Sequence, residues 1–171
     1  IIVDGGSTDN TCKLIKKYPF KNKKVYLKKN FSLYKSINFG IKKSSGRLIS
    51  ILHSDDIYNN DNVLNKVASI AINSKSKIFF GNVIFFNENN FLKITRYYPV
   101  GNNLRKNFYF GNMPPHTGSF YKKEIFKKHG FYMEKFKIAA DFEHLLKLVY
   151  IHNENFKIIN EVLIRMKTGG L

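Results

Sequence analysis

The first 72 residues alternate between short apolar runs and amphipathic segments, and this alternation restricts the chain to few folds. Runs at 1–3, 25–27 and 47–52 are rich in Ile, Val and Leu, as buried strands are. Apolar residues at helical spacing follow, most clearly at 33–43 and 63–72. Strand, helix, strand in repetition is typical of parallel βαβ units. We therefore predict an α/β fold with an open, mostly parallel central sheet and helices on both faces.

The second half of the chain has a different pattern, with strands that follow one another directly. Residues 77–86 and 91–98 are predicted strands joined by the polar turn 87–90. The remaining predicted elements are a strand at 117–121, a short helix at 122–129, a longer helix at 139–150, and strands at 156–159 and 162–166. This half predicts a small antiparallel portion. Repeats and low-complexity linkers are absent from the sequence, so we predict one domain over residues 1–171.

The charge balance predicts an anionic partner without choosing one. Twenty-nine Lys and Arg residues against twelve Asp and Glu give a formal net charge of +17. Nucleic acid, an acidic membrane surface and phosphorylated substrates all fit this charge. Cys12 is the single cysteine, which excludes an internal disulfide and a multi-thiolate metal site. The sequence has no apolar run long enough to span a bilayer.

Two adjacent carboxylates, Asp55 and Asp56, end the apolar run that begins at Ile49. Ligands of open α/β sheets bind just outside the carboxyl ends of the strands. Neighbouring carboxylates at such a position favour a divalent cation, Mn²⁺ or Mg²⁺. The alternative is a helix N-cap, which Asp55, Asp56 or Asp61 can provide.

A second carboxylate, Asp4, also follows a predicted strand and is succeeded by two glycines and Ser7. It can accept hydrogen bonds from a base N–H or a ribose hydroxyl, and an ordinary turn role is the alternative. The segment is not a phosphate-binding P-loop, because the Gly-Lys-Ser/Thr ending of that motif is missing.

Asp141 and His116 are the candidates in the second half. Asp141 follows two alanines at the start of a predicted helix, where it is either a helix cap or a base for an alcohol substrate. His116 follows a Pro-Pro pair that can hold the imidazole toward a phosphate or a sugar hydroxyl. A solvent-exposed loop histidine is the alternative for His116.

These motifs, in this order, resemble the family 2 glycosyltransferases, which have a GT-A fold. Residues 4–11, Asp-Gly-Gly-Ser-Thr-Asp-Asn-Thr, are similar to the first turn of that family, and His-Ser-Asp-Asp at 53–56 resembles its DXD motif. Segments 115–121, 130–132 and 138–141 resemble its acceptor-side half, and 166–170 resembles its exit from the domain. The resemblance covers nearly the whole chain.

The resemblance implies a nucleotide-binding half at about 1–86 and an acceptor half at about 87–171. A nucleotide-diphosphate sugar would bind with its base near Asp4 and its ribose near Asp55. Asp56 would hold Mn²⁺ or Mg²⁺ on the diphosphate. Asp141 would deprotonate the acceptor hydroxyl, with inversion at the sugar carbon. Three further residues are expected to contact the nucleotide sugar: Gly6, Ser7 and His116.

The resemblance also implies a partner and a location. A sugar or a lipid-linked sugar would be the acceptor, in bacterial surface-polysaccharide synthesis on the cytoplasmic side of the membrane. The lysine-rich surface would favour peripheral association with anionic lipids.

Two departures from the family pattern are visible. The opening strand, turn and helix are expected to be missing, and His53 stands where many members carry Asp. The alternatives are an inactive remnant of such an enzyme and a basic module that binds nucleic acid or an anionic surface. Base-reading motifs are absent from the sequence, so no specific nucleic-acid partner is expected.

Overall fold

The computed structural model describes residues 1–87 and 90–168, with the side chains of residues 91 and 92 excepted. The resemblance at 169–170 lies outside the described residues. In chain order the elements are β1 (Ile2–Asp4), α1 (Thr11–Lys17), β2 (Val25–Leu27), α2 (Leu33–Lys43), β3 (Leu48–Ser50), β4 (Asp56–Tyr58), α3 (Val63–Ile72), β5 (Ile78–Asn87), β6 (Asn90–Tyr98), α4 (Leu104–Tyr109), β7 (Ser119–Lys122), α5 (Glu124–His129), α6 (Ala140–Leu146), a π-helical turn (Lys147–Ile151) and β8 (Phe156–Lys167).

The predicted α/β fold is confirmed, but its main sheet is mixed rather than mostly parallel. Six strands pair in the order β3-β7-β5-β8-β4, with β6 also paired to β5. Of these pairs β5–β8 is parallel, and β3–β7, β5–β7, β4–β8 and β5–β6 are antiparallel. Alternating apolar patterns show that strands exist, but they do not show which strands become neighbours.

The sequence analysis does not predict two of the observed elements, and it divides one observed strand into two. The missed elements are β4 and α4, both short and without a clear apolar period. The predicted strands at 156–159 and 162–166 are a single strand, β8. In the pairing with β5, Ile159 lies opposite Gly81, and Val162 lies opposite the next residue, Asn82. The residues between them form a bulge.

The core lies on both faces of β5, as helices on both faces of a sheet require. Ile78 and Phe80 point into one cluster with α2, α5 and α6, whereas Phe79 and Val83 point into the other with α3. Because successive side chains of a strand alternate between faces, this single strand holds both layers together. Ile78, Phe79, Phe80 and Val83 are fully buried.

The strands β1 and β2 form a separate two-stranded parallel sheet. An open groove of about 690 Å³ lies between this small sheet and β3, lined by residues of β1, α2 and the β3–β4 segment. Gly5 and His53 reach the same groove, so it joins the turn after β1 to the loop after β3. In the described part of the chain, no helix is long and apolar enough to cross a membrane.

Candidate active site

Three hydrogen bonds from the turn after β1 fix the carboxylate of Asp4. Its Oδ1 accepts hydrogen bonds from the backbone N–H groups of Gly6 and Ser7, both at 2.9 Å, and its Oδ2 accepts one from the Ser7 hydroxyl at 2.6 Å. The Ser7 hydroxyl, followed by these two N–H groups, lowers the pKa of Asp4 below its ordinary value. The Cys12 thiol also lowers the pKa of Asp4. The turn alternative therefore describes Asp4, and its contact with a nucleotide base stays a prediction.

The loop after β3 separates the two carboxylates that sequence alone placed together. Asp55 is exposed, whereas Asp56 begins β4 and is 4% exposed. Neither caps the next helix, because Asn62 is the N-cap residue of α3. The cap alternative is thus wrong for Asp55 and Asp56, because β4 and a short turn intervene before the helix. It is wrong for Asp61 as well, because Asp61 precedes the N-cap residue.

Asp56 is a buried carboxylate. Both carboxylate oxygens are closed off from solvent and accept no hydrogen bond within the described structure. Burial raises the pKa of Asp56 to about 6, with the nearby His53 opposing the shift and Asp55 adding to it. Any cation that reaches Asp56 would therefore stabilise its ionised form.

The chemistry of Asp56 fits a divalent cation held largely by substrate oxygens. Among residues 1–87 and 90–168, no group of three or more His, Cys, Asp or Glu side chains is arranged to hold a metal ion. Mg²⁺ is typically bound by one or two carboxylates together with phosphate and water oxygens. Asp56 and the exposed Asp55 beside it would supply the one or two carboxylates that such a site needs. The remaining ligands would be phosphate and water oxygens.

Asp141 lies in a second cavity of about 370 Å³, next to the end of β3. The lining residues of this cavity are Leu33, Tyr34, His53, Phe85, Arg96, Tyr98, Pro115, His116, Thr117, Asp141 and Met166. The cap alternative for Asp141 is wrong: Ala139, in the left-handed conformation at φ 67°, is the N-cap residue of α6, and Asp141 lies in the first turn. The chain thus brings two predicted residues, Asp141 and His116, together with His53.

A tyrosine far away in sequence fixes the orientation of Asp141. The Tyr34 hydroxyl, on α2, donates a 2.9 Å hydrogen bond to Oδ1 of Asp141. Burial, followed by this hydrogen bond, raises the pKa of Tyr34 above its ordinary value, so the hydroxyl keeps its proton as a donor. On the same helix, Asn38 donates to the Tyr132 carbonyl at 2.8 Å and accepts from the Tyr132 N–H at 3.0 Å. Helix α2 is therefore fastened at the point from which Tyr34 reaches Asp141.

The Tyr34→Phe variant is expected to lose about 1.5 kcal/mol of unfolding free energy, since hydrogen bonds to charged groups contribute about that much. Urea unfolding measures the loss. Tyr132→Phe is the matched control: Tyr132 is also buried and stacks on Tyr34, but the hydrogen bond to Asp141 comes from Tyr34. In an Asp141→Ala background the Tyr34→Phe penalty should nearly vanish. An undiminished penalty would show that packing, and not this hydrogen bond, matters.

His116 lies at the wall of the cavity and is held neutral. Its ring is 5.6 Å from that of His53 and 5.5 Å from that of Tyr132, centroid to centroid. Burial lowers the pKa of His116 to about 4, although the charge of Asp141 opposes the shift. Both ring nitrogens are closed off from solvent and have no partner among the residues that the structure describes. The alternative of a solvent-exposed loop histidine is wrong.

Two residues of the cavity were missed from the sequence. Tyr34 gave no signal, because it occupies an apolar position of a helical pattern. Arg96 sits in a run of aromatic residues on β6, and its guanidinium lies 5.5 Å from the Phe85 ring and 5.1 Å from the Tyr98 ring. Only the antiparallel pairing of Arg96 with Phe85 places this cation at the cavity.

Comparison with known proteins identifies the family of the chain. The model of the family "Glycosyl transferase family 2" matches residues 1–130. An uncharacterized glycosyltransferase of Rickettsia bellii (strain RML369-C) is 42% identical over 60 residues, which are 34% of this chain and 9% of that protein.

Solved structures of S. aureus TarS share the fold. TarS residues 1–349 match with a TM-score of 0.72 at 20% identity, over 96% of this chain and 50% of that one. The same TarS residues in complex with UDP-GlcNAc match with a TM-score of 0.74 at 19% identity, over 99% of this chain and 49% of that one. The chain thus spans about half the length of these structures. The GT-A fold implied by the resemblance is confirmed, and the chain belongs to glycosyl transferase family 2.

Proposed function

We propose that this chain transfers a sugar from a nucleotide-diphosphate sugar to an acceptor hydroxyl, with inversion at the sugar carbon. The family supplies the reaction class. The observation that carries the proposal is the oriented Asp141 in a cavity that also contains His53, His116 and Arg96.

The number of carboxylates in the cavity supports inversion. Among the described residues that line it, Asp141 is the single carboxylate. A double displacement requires a nucleophile as well as an acid or base, whereas a single displacement requires only one base. One carboxylate therefore favours direct attack by the acceptor on the face of the sugar opposite the leaving group.

Asp141 is the proposed base. As the acceptor oxygen bonds to the sugar carbon, the carboxylate takes the hydroxyl proton, and the bond from that carbon to the diphosphate oxygen breaks. The Tyr34 hydroxyl occupies one side of Oδ1 and keeps the carboxylate from rotating. Arg96 is a fixed positive charge at the same cavity and can stabilise the departing diphosphate.

The donor end is proposed for the groove between β1 and β3. The turn with Asp4, Gly6 and Ser7 would contact the base, and exposed Asp55 would contact the ribose. Gly6 has φ 117°, a conformation that favours glycine and turns the chain sharply at Asp4. Asp56 would hold Mn²⁺ or Mg²⁺, which when bound neutralises charge on the leaving diphosphate. His116 would donate to a phosphate or sugar oxygen.

The remaining features of the proposal follow from the family resemblance. Residues at about 1–86 would bind the nucleotide, and residues at about 87–171 the acceptor. The acceptor would be a sugar or a lipid-linked sugar in bacterial surface-polysaccharide synthesis, on the cytoplasmic side of the membrane. The net charge of +17 supports peripheral association with anionic lipids.

A donor panel tests the proposal. UDP-GlcNAc, other UDP-sugars, and GDP- and dTDP-sugars are added to the 171-residue chain with MnCl₂ or MgCl₂, and thermal unfolding is followed. We expect one nucleotide class to raise the melting temperature by several degrees at saturating concentration. The same donor should release its nucleotide diphosphate when simple glycosides are offered as acceptors. A panel that produces neither effect would overturn the proposal.

A further inference from the structure

Residues 10–54 contain eleven Lys and one Arg but no Asp or Glu. This segment therefore carries twelve of the seventeen net positive charges in about a quarter of the chain. The other residues hold seventeen basic and twelve acidic side chains, a much more even balance. The positive charge is thus concentrated on α1, β2, α2 and their connections, rather than distributed over the whole molecule.

Exposed apolar side chains lie within this basic segment. Leu14 is 66% exposed, Tyr18 63% and Phe20 67%, and α1 has no buried residue. The Tyr18 N–H donates to the Leu14 carbonyl, so these two side chains follow one another along one side of the helix. The rings of Tyr18 and Phe20 are stacked, with centroids 5.7 Å apart and planes inclined by 12°. We call these three exposed side chains the α1 strip.

The α1 strip is held in place by its neighbours. The Lys23 ammonium donates to the carbonyls of Ile15, Lys16 and Tyr18 and so caps the carboxyl end of α1. The Phe20 N–H also donates to the Tyr18 carbonyl at 2.9 Å. Five lysines around the strip are exposed: Lys13, Lys16, Lys17, Lys21 and Lys24.

We propose that the α1 strip and its surrounding lysines dock the protein on an anionic lipid bilayer. Tyr18, Phe20 and Leu14 would enter the boundary between headgroups and acyl chains, and the lysines would contact the lipid phosphates. This inference assigns the proposed membrane association to one face, and it does not depend on sugar transfer. An apolar strip flanked by lysine and without acidic residues is the composition of interfacial membrane-binding segments.

The combination of charge and apolar surface favours a bilayer over nucleic acid. Phosphate contacts alone explain a basic surface, but they give no role to an exposed leucine beside two stacked aromatic rings. At a membrane, each lysine near an anionic surface contributes attraction, and buried apolar groups add to it. Neither contribution alone gives firm attachment, so both should be required.

Vesicle sedimentation of the full chain tests the assignment. The vesicles are phosphatidylcholine alone, or phosphatidylcholine with about one third phosphatidylglycerol. We expect binding to the anionic vesicles only, with a partition coefficient that falls by roughly tenfold in high salt. The double variant Tyr18→Ser, Phe20→Ser, which keeps every charge, should lose roughly tenfold in the same coefficient.

A charge-matched pair of triple variants localises the surface. Lys13→Glu, Lys17→Glu, Lys21→Glu should abolish vesicle binding. Lys75→Glu, Lys127→Glu, Lys157→Glu changes the net charge equally at exposed lysines of other parts of the chain and should retain most of it. Circular dichroism confirms that each variant is folded.

Three outcomes would overturn the inference. One is equal loss of vesicle binding in the two triple variants, which would mean that net charge alone acts. Another is full binding by the Tyr18, Phe20 double variant together with tighter binding to single-stranded RNA, which would indicate a nucleic-acid surface. The third is a dimer in light scattering that only the double variant dissociates, which would assign the strip to a second copy of the chain. Vesicle binding requires no turnover, so failure here is distinct from failure of sugar transfer.

Discussion

Asp141→Asn is expected to lower the rate of sugar transfer by about three orders of magnitude, the middle of the range for loss of a general base. The amide keeps the size of the side chain and still accepts the hydrogen bond from Tyr34, but it cannot take the acceptor proton. The kcat should therefore fall while the donor KM and the fold stay unchanged. Initial rates at varied donor concentration, with a donor identified in the panel above, measure this split.

A neighbouring carboxylate is the matched control for Asp141. Glu143 lies on the same helix, where its partner is Lys147 at 3.7 Å, and it does not line the cavity. Glu143→Gln should keep the rate within about twofold, since Glu143 lies outside the cavity lining. Retention of a tenth of the activity by Asp141→Asn would reject Asp141 as the base. A rise in the donor KM without a fall in kcat would assign it to binding instead.

Asp56→Asn is expected to lower transfer by about two orders of magnitude and to abolish the Mn²⁺-dependent part of the thermal stabilisation by donor. The neutral amide is a far weaker ligand for a hard divalent cation than a carboxylate is. Melting temperatures with nucleotide sugar, with and without MnCl₂, measure the second effect. Asp55→Asn is the control, since it leaves Asp56 in place and should retain a metal-dependent increment. An Asp56→Asn protein that responds to Mn²⁺ as the parent does would refute the metal role.

The same substitution should stabilise the metal-free protein at neutral pH. Burial raises the pKa of Asp56 to about 6, above its ordinary value of 3.8. The folded state therefore binds this proton more tightly than the unfolded state, and its stability falls as pH rises from about 4 to 6. Above that window the buried charge costs roughly 1–2 kcal/mol, after allowance for solvent screening. Asp56→Asn removes this cost.

Urea unfolding in the presence of a chelator measures this gain at pH 7 and at about pH 4.5, near the lower end of the window. The difference in unfolding free energy between variant and parent should be about 1–2 kcal/mol at neutral pH and much smaller at the acidic pH. His116 and His144, whose pKa values burial lowers, oppose the trend because they lose stability as pH falls. They are present in both proteins, so their contribution cancels in the difference. An equal difference at both pH values would contradict the titration of Asp56.

Local elements were predictable wherever a periodic apolar pattern met a clear boundary signal. Helices α2 and α3 coincide with the predicted apolar patterns at 33–43 and 63–72, and the structure shows that Ser32 caps the first. β4 could not be predicted in the same way. Its three residues are held by antiparallel pairing to β8, more than a hundred residues further along the chain. Such a strand exists only because a partner reaches it.

The candidate site, too, could be predicted from the sequence only in part. The sequence by itself placed Asp4 at a strand end and Asp141 at a helix start, because turn signals are local. Asp56, which was expected at the carboxyl end of the preceding strand, instead begins β4. Only the tertiary structure decided that Asp56 is buried and unpartnered among the described residues, that Asp141 receives the Tyr34 hydroxyl, and that Arg96 reaches the cavity. Each of these features depends on a contact between residues that are distant in sequence. The burial of a charge and the register of a strand are set by the packing of the whole chain, and no single segment determines them.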